Sequence, residues 1–163
     1  MCTGSGNIAI SLTKAIPECR IVASDISEDA LTVARRNAQN YCVAGRIEFV
    51  KSDLFTDVKG PFDIIVSNPP YIAEAEFGSL QKEVLREPRI ALDGGADGLD
   101  FYRKIISSSA LHLKRNGFLA MEIGYGQLKA ISDIINAGGR SKLMEVNKDW
   151  RGIDRVIVVK WIN

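Results

Sequence analysis

The motif Asn68-Pro69-Pro70-Tyr71 contains the residue types in this chain that are best suited to chemistry. Asn68 precedes a proline and is therefore pushed out of the helical region, while each proline fixes its own φ at about −65° and has no N–H group. A carboxamide is thus held stiffly beside an aromatic ring. The Asn68 side-chain oxygen and the Pro69 carbonyl can each accept one N–H bond, which suits a flat substrate with an NH2 group on an sp² carbon, an amide or a nucleobase.

The same four residues could simply end a strand, because Asn-Pro and Pro-Pro are ordinary turn dipeptides. The preceding residues favour a functional interpretation. Phe62 to Ser67 is an apolar run that predicts a strand buried on both faces of a parallel sheet. Open α/β sheets bind their ligands at the carboxyl ends of such strands. We therefore expect Asn68, Pro69, Pro70 and Tyr71 to bind substrate and to be catalytic.

A second group of residues indicates a nucleoside ligand. Thr3-Gly4-Ser5-Gly6 predicts a glycine-rich turn that brings backbone N–H groups and a helix N-terminus close to a ligand. Asp25 follows Gly6 at a distance typical of an acid that accepts both ribose hydroxyls. Asp53 could bond an adenine amino group while Leu54 packs on the ring. Each acid could instead form only an Asx-turn or a cap, and the pattern does not separate NAD from S-adenosylmethionine.

Strands and helices alternate along the chain, which predicts an α/β fold with a mostly parallel, doubly wound sheet. Predicted strands cover Arg20 to Asp25, Arg46 to Lys51, Phe62 to Ser67, Phe118 to Ile123, Leu143 to Asn147 and Arg155 to Ile162. Predicted helices cover Asn7 to Ala15, a stretch capped by Ser27, Leu99 to Leu113 and Gln127 to Ala137. The last two strands are joined too briefly for a crossover, so we expect them to pair antiparallel.

Helix periodicity also predicts which side chains face inward. The expected buried faces are Ile8, Leu12 and Ala15 in the first helix, Leu31, Ala34, Ala38 and Tyr41 in the second, and Leu99, Tyr102, Ile106 and Leu113 in the third. Lys114, Arg115 and Asn116-Gly117 are expected to end that third helix. Residues 72–98 are irregular, with a short helix expected near Leu80 to Arg86, and this segment is the natural candidate for a substrate loop or lid.

Length and composition limit the possible classes of protein. With 163 residues, 46% hydrophobic and 25% charged, the chain predicts one ordinary soluble domain over residues 1–163. A net charge of +1 gives no global basic field for nucleic acid, and no membrane span or signal peptide is indicated. Cys2, Cys19 and Cys42 lack CxxC spacing, so neither a disulfide framework nor a metal site is expected. A cytoplasmic location fits best, and His112 is expected at a helix end.

A longer motif carries a resemblance to a known family. The segment Glu87-Pro88-Arg89-Ile90-Ala91-Leu92-Asp93-Gly94-Gly95-Ala96-Asp97-Gly98-Leu99, followed by Tyr102-Arg103, resembles the signature of the HemK-type methyltransferases. Two further groups are similar to that family's pattern, Glu122-Ile123-Gly124 with Gln127 and Asp149-Trp150-Arg151-Gly152 with Asp154-Arg155. The Asn-Pro-Pro-Tyr motif resembles that of methyltransferases that modify planar amino groups.

This resemblance implies a class I, Rossmann-like methyltransferase with S-adenosyl-L-methionine as its cofactor. The implied reaction methylates the glutamine of the Gly-Gly-Gln motif in peptide chain release factors, with no membrane and no specific nucleic acid as partner. The implied cofactor residues are Cys2, Thr3, Gly4, Ser5, Gly6, Asp25, Asp53, Leu54 and Asn68. Cys2 departs from the pattern, since a glycine is usual there.

The resemblance also implies a first strand, yet only Met1 and Cys2 precede the glycine-rich turn. We therefore expect the chain to be a fragment that lacks this strand. Two alternatives stay open: a DNA or RNA amino-methyltransferase that shares the Asn-Pro-Pro-Tyr motif, and a truncated, non-catalytic remnant. A dehydrogenase is disfavoured because it gives that motif no role.

Overall fold

The computed structural model describes residues 1–139 and 141–162, and its contacts divide the chain into two compact units, Met1–Lys59 and Gly60–Asn163. The described strands form one sheet of two strands and one sheet of four. Among the described residues, no helix is both long and apolar enough to cross a membrane.

The first unit contains two helices and two parallel strands. They are α1 (Asn7–Ala15), β1 (Ile21–Asp25), α2 (Glu28–Asn40) and β2 (Ile47–Lys51). The pairing of β1 with β2 runs in register from Ile21 opposite Ile47 to Asp25 opposite Lys51. The predicted cap of α2 is confirmed, because the Ser27 hydroxyl accepts a hydrogen bond from the Ala30 amide at 3.2 Å.

Helix α1 buries a different face from the one that its periodicity predicts. Ile8 is 41% exposed. The buried residues are instead Ala9, Ile10 and Thr13. Ala9 and Ile10 belong to a core cluster with residues of β1, α2 and β2. Thr13 can be buried because its hydroxyl donates to the Ala9 carbonyl at 2.7 Å, which satisfies its polar atom.

The predicted face of α2 is confirmed for three residues and wrong for the fourth. Leu31, Ala34 and Ala38 are fully buried, whereas Tyr41 is 57% exposed. Tyr41 is the residue at which the helix ends. Its ring lies 4.7 Å from the Lys14 ammonium group, a cation–π contact at the surface.

The second unit contains a mixed four-stranded sheet. Its elements are β3 (Phe62–Ser67), α3 (Asp100–His112), β4 (Leu113–Glu122), α4 (Leu128–Ala137), β5 (Ser141–Lys148) and β6 (Asp154–Trp161). The strand order is β3-β4-β6-β5. β3 and β4 are parallel, and β6 is antiparallel to both β4 and β5. The predicted antiparallel pairing of the last two strands is confirmed.

Helix α3 buries its predicted face and ends at His112, one residue before the predicted Leu113. Strand β4 begins directly after it at Leu113, so Lys114 belongs to the strand. Its ammonium group instead lies 2.9 Å from both carboxylate oxygens of Asp63 on β3. Asn116 has a left-handed φ of 62°. Cations followed by Asn-Gly are typical of a helix end, and here the same residues form the irregular start of a strand.

The prediction that β3 is buried on both faces is wrong for two residues, Asp63 and Ile64, which are exposed. Ile65 is 7% exposed and Ser67 is buried, but Ile64 is 56% exposed. β3 lies at the end of its sheet, and among the described strands only β4 pairs with it. A strand with one neighbour has fewer side chains beside it to cover both faces.

The segment between β3 and α3 contains short 3-10 turns instead of the predicted helix. These turns cover Glu74–Ser79, Val84–Arg86 and Arg89–Ala91. A parallel bridge between Ile72 and Asp93 joins the two ends of the segment. Residues 73–92 therefore form a loop whose two ends lie side by side at this bridge.

Candidate active site

In the first unit, the predicted glycine-rich turn lies at the carboxyl end of β1. The Thr3 amide donates to the Ser24 carbonyl at 3.0 Å, and the Gly6 amide donates to the Thr3 carbonyl at 2.8 Å. The Gly4 amide donates to the Asp25 carboxylate at 2.8 Å. The donors of Thr3, Gly4 and Gly6 are thus used inside the unit, where they fix the shape of the loop.

The two glycines of this turn have different roles. A Cβ at Gly6 would lie 3.1 Å from the Ala34 Cβ, so the missing side chain lets the loop approach α2 closely. The Asn37 side chain donates to the Ser5 carbonyl at 2.9 Å and fastens the loop to the same helix. At Gly4 a Cβ would meet nothing within 4 Å, so the loop has an open side there. Gly4 is consequently the glycine that a ligand could approach.

Cys2 has a left-handed φ of 52°, a conformation that glycine adopts at little cost. This φ explains why a glycine is usual at this place in the family that the sequence resembles. Cys2 keeps the left-handed geometry of the loop although it carries a side chain.

Asp25 combines a structural role with free capacity for a ligand. One carboxylate oxygen accepts from the Gly4 amide at 2.8 Å and the other accepts from the Ser27 amide at 3.0 Å. Each oxygen has two lone pairs, so each can accept a further hydrogen bond. The side chain is half-buried at the end of β1, and it can accept two hydroxyl groups while it holds the loop.

Asp53 and Leu54 lie at the same edge of this two-stranded sheet as Asp25. The strands are parallel, and the Ser52 amide donates to the Asp25 carbonyl at 2.9 Å. Asp53 is exposed, and its carbonyl accepts from the Thr56 amide and hydroxyl at 3.1 and 2.8 Å. Leu54 is half-buried with a φ of 49°. The first unit thus brings together every residue that the sequence assigns to a nucleoside site, except Asn68.

In the second unit, Asn68 directly follows the last residue of β3. Its side chain is exposed, whereas Pro69 and Pro70 behind it are buried. An exposed carboxamide on a buried, stiff pair of prolines is the arrangement that the sequence predicts. Its side chain is therefore open to a ligand while its backbone is constrained.

Tyr71 is held by Gln127, whose role the sequence analysis did not identify. The Gln127 side-chain nitrogen donates to the Tyr71 carbonyl at 2.9 Å and to the Gly98 carbonyl at 3.4 Å. Its side-chain oxygen accepts from the Gly124 amide at 2.9 Å. Gln127 lies just before α4, after the carboxyl end of β4. Polar residues just beyond a strand end were the signal that identified Asn68, and this signal also applies here.

Three glycines make room for this contact. A Cβ at Gly98 would lie 2.5 Å from the Tyr71 carbonyl oxygen, and one at Gly94 would lie 2.8 Å from the Tyr71 Cα. A Cβ at Gly124 would lie 2.6 Å from the Gln127 side-chain oxygen. Since real Cβ atoms do not approach backbone atoms this closely, Gly94 and Gly98 are required by packing on Tyr71, and a side chain at Gly124 would displace the Gln127 carboxamide.

The segment that resembles a family signature is tied together internally. Asp93 and Asp97 each accept a hydrogen bond from the amide two residues ahead, at 3.1 Å in both cases. Arg89 pairs with Asp93 at 3.0 Å, and Arg103 pairs with Asp97 at 2.5 Å. These contacts stabilise the turns that contain Gly94 and Gly98. Part of the signature therefore holds the two glycines that pack against Tyr71 of the Asn-Pro-Pro-Tyr motif.

The electrostatics around Tyr71 keep its ring neutral. Burial raises the pKa of the Tyr71 phenol, and the Glu122 carboxylate raises it further. Burial also raises the pKa of Glu122, while the Arg155 cation acts in the opposite direction. Arg155 is itself held by Asp149 at 3.3 Å. Tyr71 therefore presents an uncharged aromatic face across the neutral pH range.

The alternation of strands and helices, the antiparallel last strand and the polar residues at the strand ends together define a class I methyltransferase fold. Residues 1–97 match the family described as "Methyltransferase small domain", and the chain belongs to this family. The family and the fold imply S-adenosyl-L-methionine as the methyl donor.

Relatives narrow the comparison further. The chain is 44% identical over 154 residues to a protein named "Release factor glutamine methyltransferase" from Moorella thermoacetica, covering 94% of this chain and 54% of the relative. It is also 44% identical over 127 residues to a "Ribosomal protein uL3 glutamine methyltransferase" from Neisseria gonorrhoeae, covering 78% and 42%. The chain thus spans about half the length of the curated relatives that it matches.

A solved structure has a similar fold. The ribosomal protein L11 methylase from Lactobacillus delbrueckii subsp. bulgaricus superposes with a TM-score of 0.70 at 24% identity, over 99% of this chain and 67% of that one. At this identity the similarity extends to the fold alone.

Proposed function

We propose that this protein transfers the methyl group of S-adenosyl-L-methionine to the side-chain amide nitrogen of a protein glutamine. The carrying observation is Asn68, an exposed carboxamide on two buried prolines at the carboxyl end of β3. The named activities of the two relatives support this proposal, because both names specify glutamine.

The first unit supplies residues that fit the nucleoside part of the cofactor. Asp25 retains lone pairs for both ribose hydroxyls, and the open side of the loop at Gly4 leaves space beside it. Asp53 is an exposed acceptor for an adenine amino group, with Leu54 next to it as an apolar surface. When bound, S-adenosyl-L-methionine supplies a methyl group on a positively charged sulfur.

Asn68 and Pro69 act on the glutamine amide, which is a poor nucleophile because its nitrogen lone pair is delocalised into the carbonyl. The Asn68 side-chain oxygen and the Pro69 carbonyl each accept one of the two amide hydrogens, which orients the lone pair and raises its electron density. With S-adenosyl-L-methionine bound, the methyl group would pass from sulfur to this nitrogen, the electrons of the C–S bond would stay on sulfur, and the nitrogen would release one proton to water. Holding the two reacting atoms in line supplies much of the acceleration. Tyr71 covers the plane of the amide with a neutral ring.

The proposed protein substrate is the Gly-Gly-Gln loop of a peptide chain release factor. Support comes from the Moorella relative's name and from the segment Glu87 to Arg103. The net charge of +1 does not favour a nucleic acid substrate. A release factor as substrate would place the activity in the cytoplasm.

The test is methyl incorporation by the full-length protein from S-adenosyl-L-methionine with a labelled methyl group. We expect label in a release factor and none in the same factor with its Gly-Gly-Gln glutamine changed to alanine. Ribosomal protein uL3 serves as a second glutamine substrate, and duplex DNA and structured RNA as nucleic acid substrates. Methyl label found in nucleic acid but not in the release factor would contradict the proposal. It would favour an amino-methyltransferase of DNA or RNA.

A further inference from the structure

We propose that Gln127 is a positioning residue that fixes the backbone of the Asn-Pro-Pro-Tyr motif in the geometry needed for methyl transfer. This inference rests on the proposed function for its catalytic consequence. Gln127 is 56 residues from Tyr71 along the chain, and it lies beyond the carboxyl end of β4, the parallel neighbour of β3.

The contacts of Gln127 join three separate segments at one point. Its nitrogen donates to the carbonyls of Tyr71 and Gly98, and its oxygen accepts from the Gly124 amide. All three partners are backbone groups, so the contact fixes the path of the chain. A carboxamide is the side chain that can donate and accept in this way without a charge.

The packing around this point leaves the motif little freedom. Gly94, Gly98 and Gly124 each lie where a Cβ would overlap Tyr71 or Gln127. The two prolines between Tyr71 and Asn68 have fixed φ angles and are buried. A displacement of the Tyr71 carbonyl is therefore transmitted along the prolines to the Pro69 carbonyl and to Asn68.

Asn68 depends on this constraint because its own side chain is exposed. Burial does not hold the carboxamide in place, so its position is set by the strand before it and by the fixed residues after it. Strand β3 supplies the first constraint and Gln127 supplies the second. Loosening Gln127 should consequently lower the rate of methyl transfer without weakening the cofactor site.

The variant Gln127→Glu tests this with a pH profile. A protonated glutamic acid can donate to Tyr71 and accept from Gly124, so it reproduces the two shorter of the three hydrogen bonds. The ionised form cannot donate, and its charge faces two carbonyl oxygens, which raises its pKa above the usual value of about 4.3. We expect kcat close to wild type at about pH 5, and lower by about tenfold or more at about pH 8.

Gln39→Glu is the matched control, since it makes the same change at an exposed position of α2. Its kcat relative to wild type should not depend on pH. Gln127→Met, which cannot titrate, should have a lowered kcat at every pH, and it decides the question if Gln127→Glu unfolds at the higher pH. Cofactor affinity and melting temperature are measured for each variant, and affinity should match wild type.

A readout without catalysis separates this inference from the proposed function. The full-length protein is labelled with 3-fluorotyrosine, and the Tyr71 signal is assigned by its loss in Tyr71→Phe. In Gln127→Glu that signal should show a pH-dependent step that is absent from the wild-type signal, which can respond only to groups such as Glu122 that both proteins share. A variant signal without this added step, or an added step with a kcat ratio independent of pH, overturns the inference. If wild type does not methylate glutamine but the signal of the variant still titrates, the proposed function is lost and the positioning of the motif stands.

Discussion

Two carboxamides in this molecule are suited to opposite tasks because their surroundings differ. Asn68 is exposed beside buried prolines, whereas all the side-chain contacts of Gln127 described above are with backbone groups of the second unit. An exposed amide can exchange water for a ligand, and an amide bonded to three backbone segments cannot do so without loosening the fold. Under the proposed function, the same functional group thus contacts the ligand at one position and fixes the backbone at the other.

Replacing Asn68 should affect the reaction and leave cofactor binding nearly intact. Asn68→Ala removes an acceptor that matters most as the N–C bond forms, so kcat should fall about 10- to 100-fold. Asn68→Asp keeps the shape and the acceptor but adds a charge that stabilises the sulfonium ground state, so the rate should also fall. Steady-state kinetics at saturating cofactor and substrate, with calorimetry for the cofactor, measure both effects. Wild-type kcat in Asn68→Ala would refute the proposed role.

Replacing Asp25 should weaken the binding of the cofactor. Asp25→Asn keeps one oxygen acceptor but turns an NH2 group toward the amide of either Gly4 or Ser27, since the wild-type oxygens accept from both. We expect cofactor affinity to fall about 10- to 100-fold, because a hydrogen bond to a charged group is worth about 1.5–3 kcal/mol. Calorimetry with S-adenosyl-L-methionine measures this.

The exposed Asp29 on α2 provides the matched control for Asp25, because Asp29→Asn removes the same charge from the same unit. Its cofactor affinity should stay close to wild type. Equal affinity in both variants would mean that Asp25 only shapes the loop.

At the scale of elements, the loop after β3 is held by a second chain segment that runs beside it. The Ile72 amide donates to the Leu92 carbonyl and the Gly94 amide donates to the Ile72 carbonyl, both at 2.9 Å. Gly98 then packs directly on Tyr71. The backbone of the Asn-Pro-Pro-Tyr motif is therefore held by two segments, although its four residues are consecutive.

Gly98→Ala should lower stability more than Gly152→Ala, although both glycines have a similar left-handed φ. Gly98 has φ 74° and Gly152 has φ 79°, but an added Cβ overlaps Tyr71 at the first position and meets nothing within 4 Å at the second. Gly152→Ala should cost about 1–2 kcal/mol from its left-handed backbone, and Gly98→Ala about 1–3 kcal/mol more from overpacking. Urea unfolding of both variants measures the difference. Equal losses would show that the Gly98 contact relaxes freely.

Sequence reasoning predicted most elements because their signals are local. The Ser27 cap, the periodicity of α3 and the prolines after β3 each depend on neighbouring residues. The inward face of α1, the start of β4 and the exposure of Ile64 depend on what packs against them, which periodicity does not contain. The candidate site shows the same division. The prediction for Asn68 rests on the residues next to it in the sequence, whereas the role of Gln127 depends on a contact across 56 residues.

At the scale of the whole molecule, charge is nearly balanced, with 21 Lys and Arg against 20 Asp and Glu. Several of these charges are also paired with each other, among them Arg103 with Asp97 and Lys114 with Asp63. The sequence therefore has an excess of only one positive charge with which to attract a nucleic acid backbone.

Duplex DNA should accordingly bind weakly, and its affinity should depend only slightly on salt. Fluorescence anisotropy with a labelled duplex between about 50 and 200 mM salt measures this dependence. A non-specific dissociation constant below about 10⁻⁶ M, or a steep slope of affinity with salt, would contradict the prediction and favour a nucleic acid substrate.

The bridge between Ile72 and Asp93 also makes residues 73–92 exchangeable. Their two ends already meet, so changing the length of this excursion costs little, about 0.6 kcal/mol for each doubling of a flexible loop. The Glu74 amide, which donates to the Gly95 carbonyl at 3.1 Å, closes the base once more. Replacement of residues 77–87 by the corresponding stretch of a relative should therefore leave Asn68, Pro69 and Tyr71 in place. If this segment contacts the target protein, exchanging residues 77–87 between members of the family should exchange their preference for that protein.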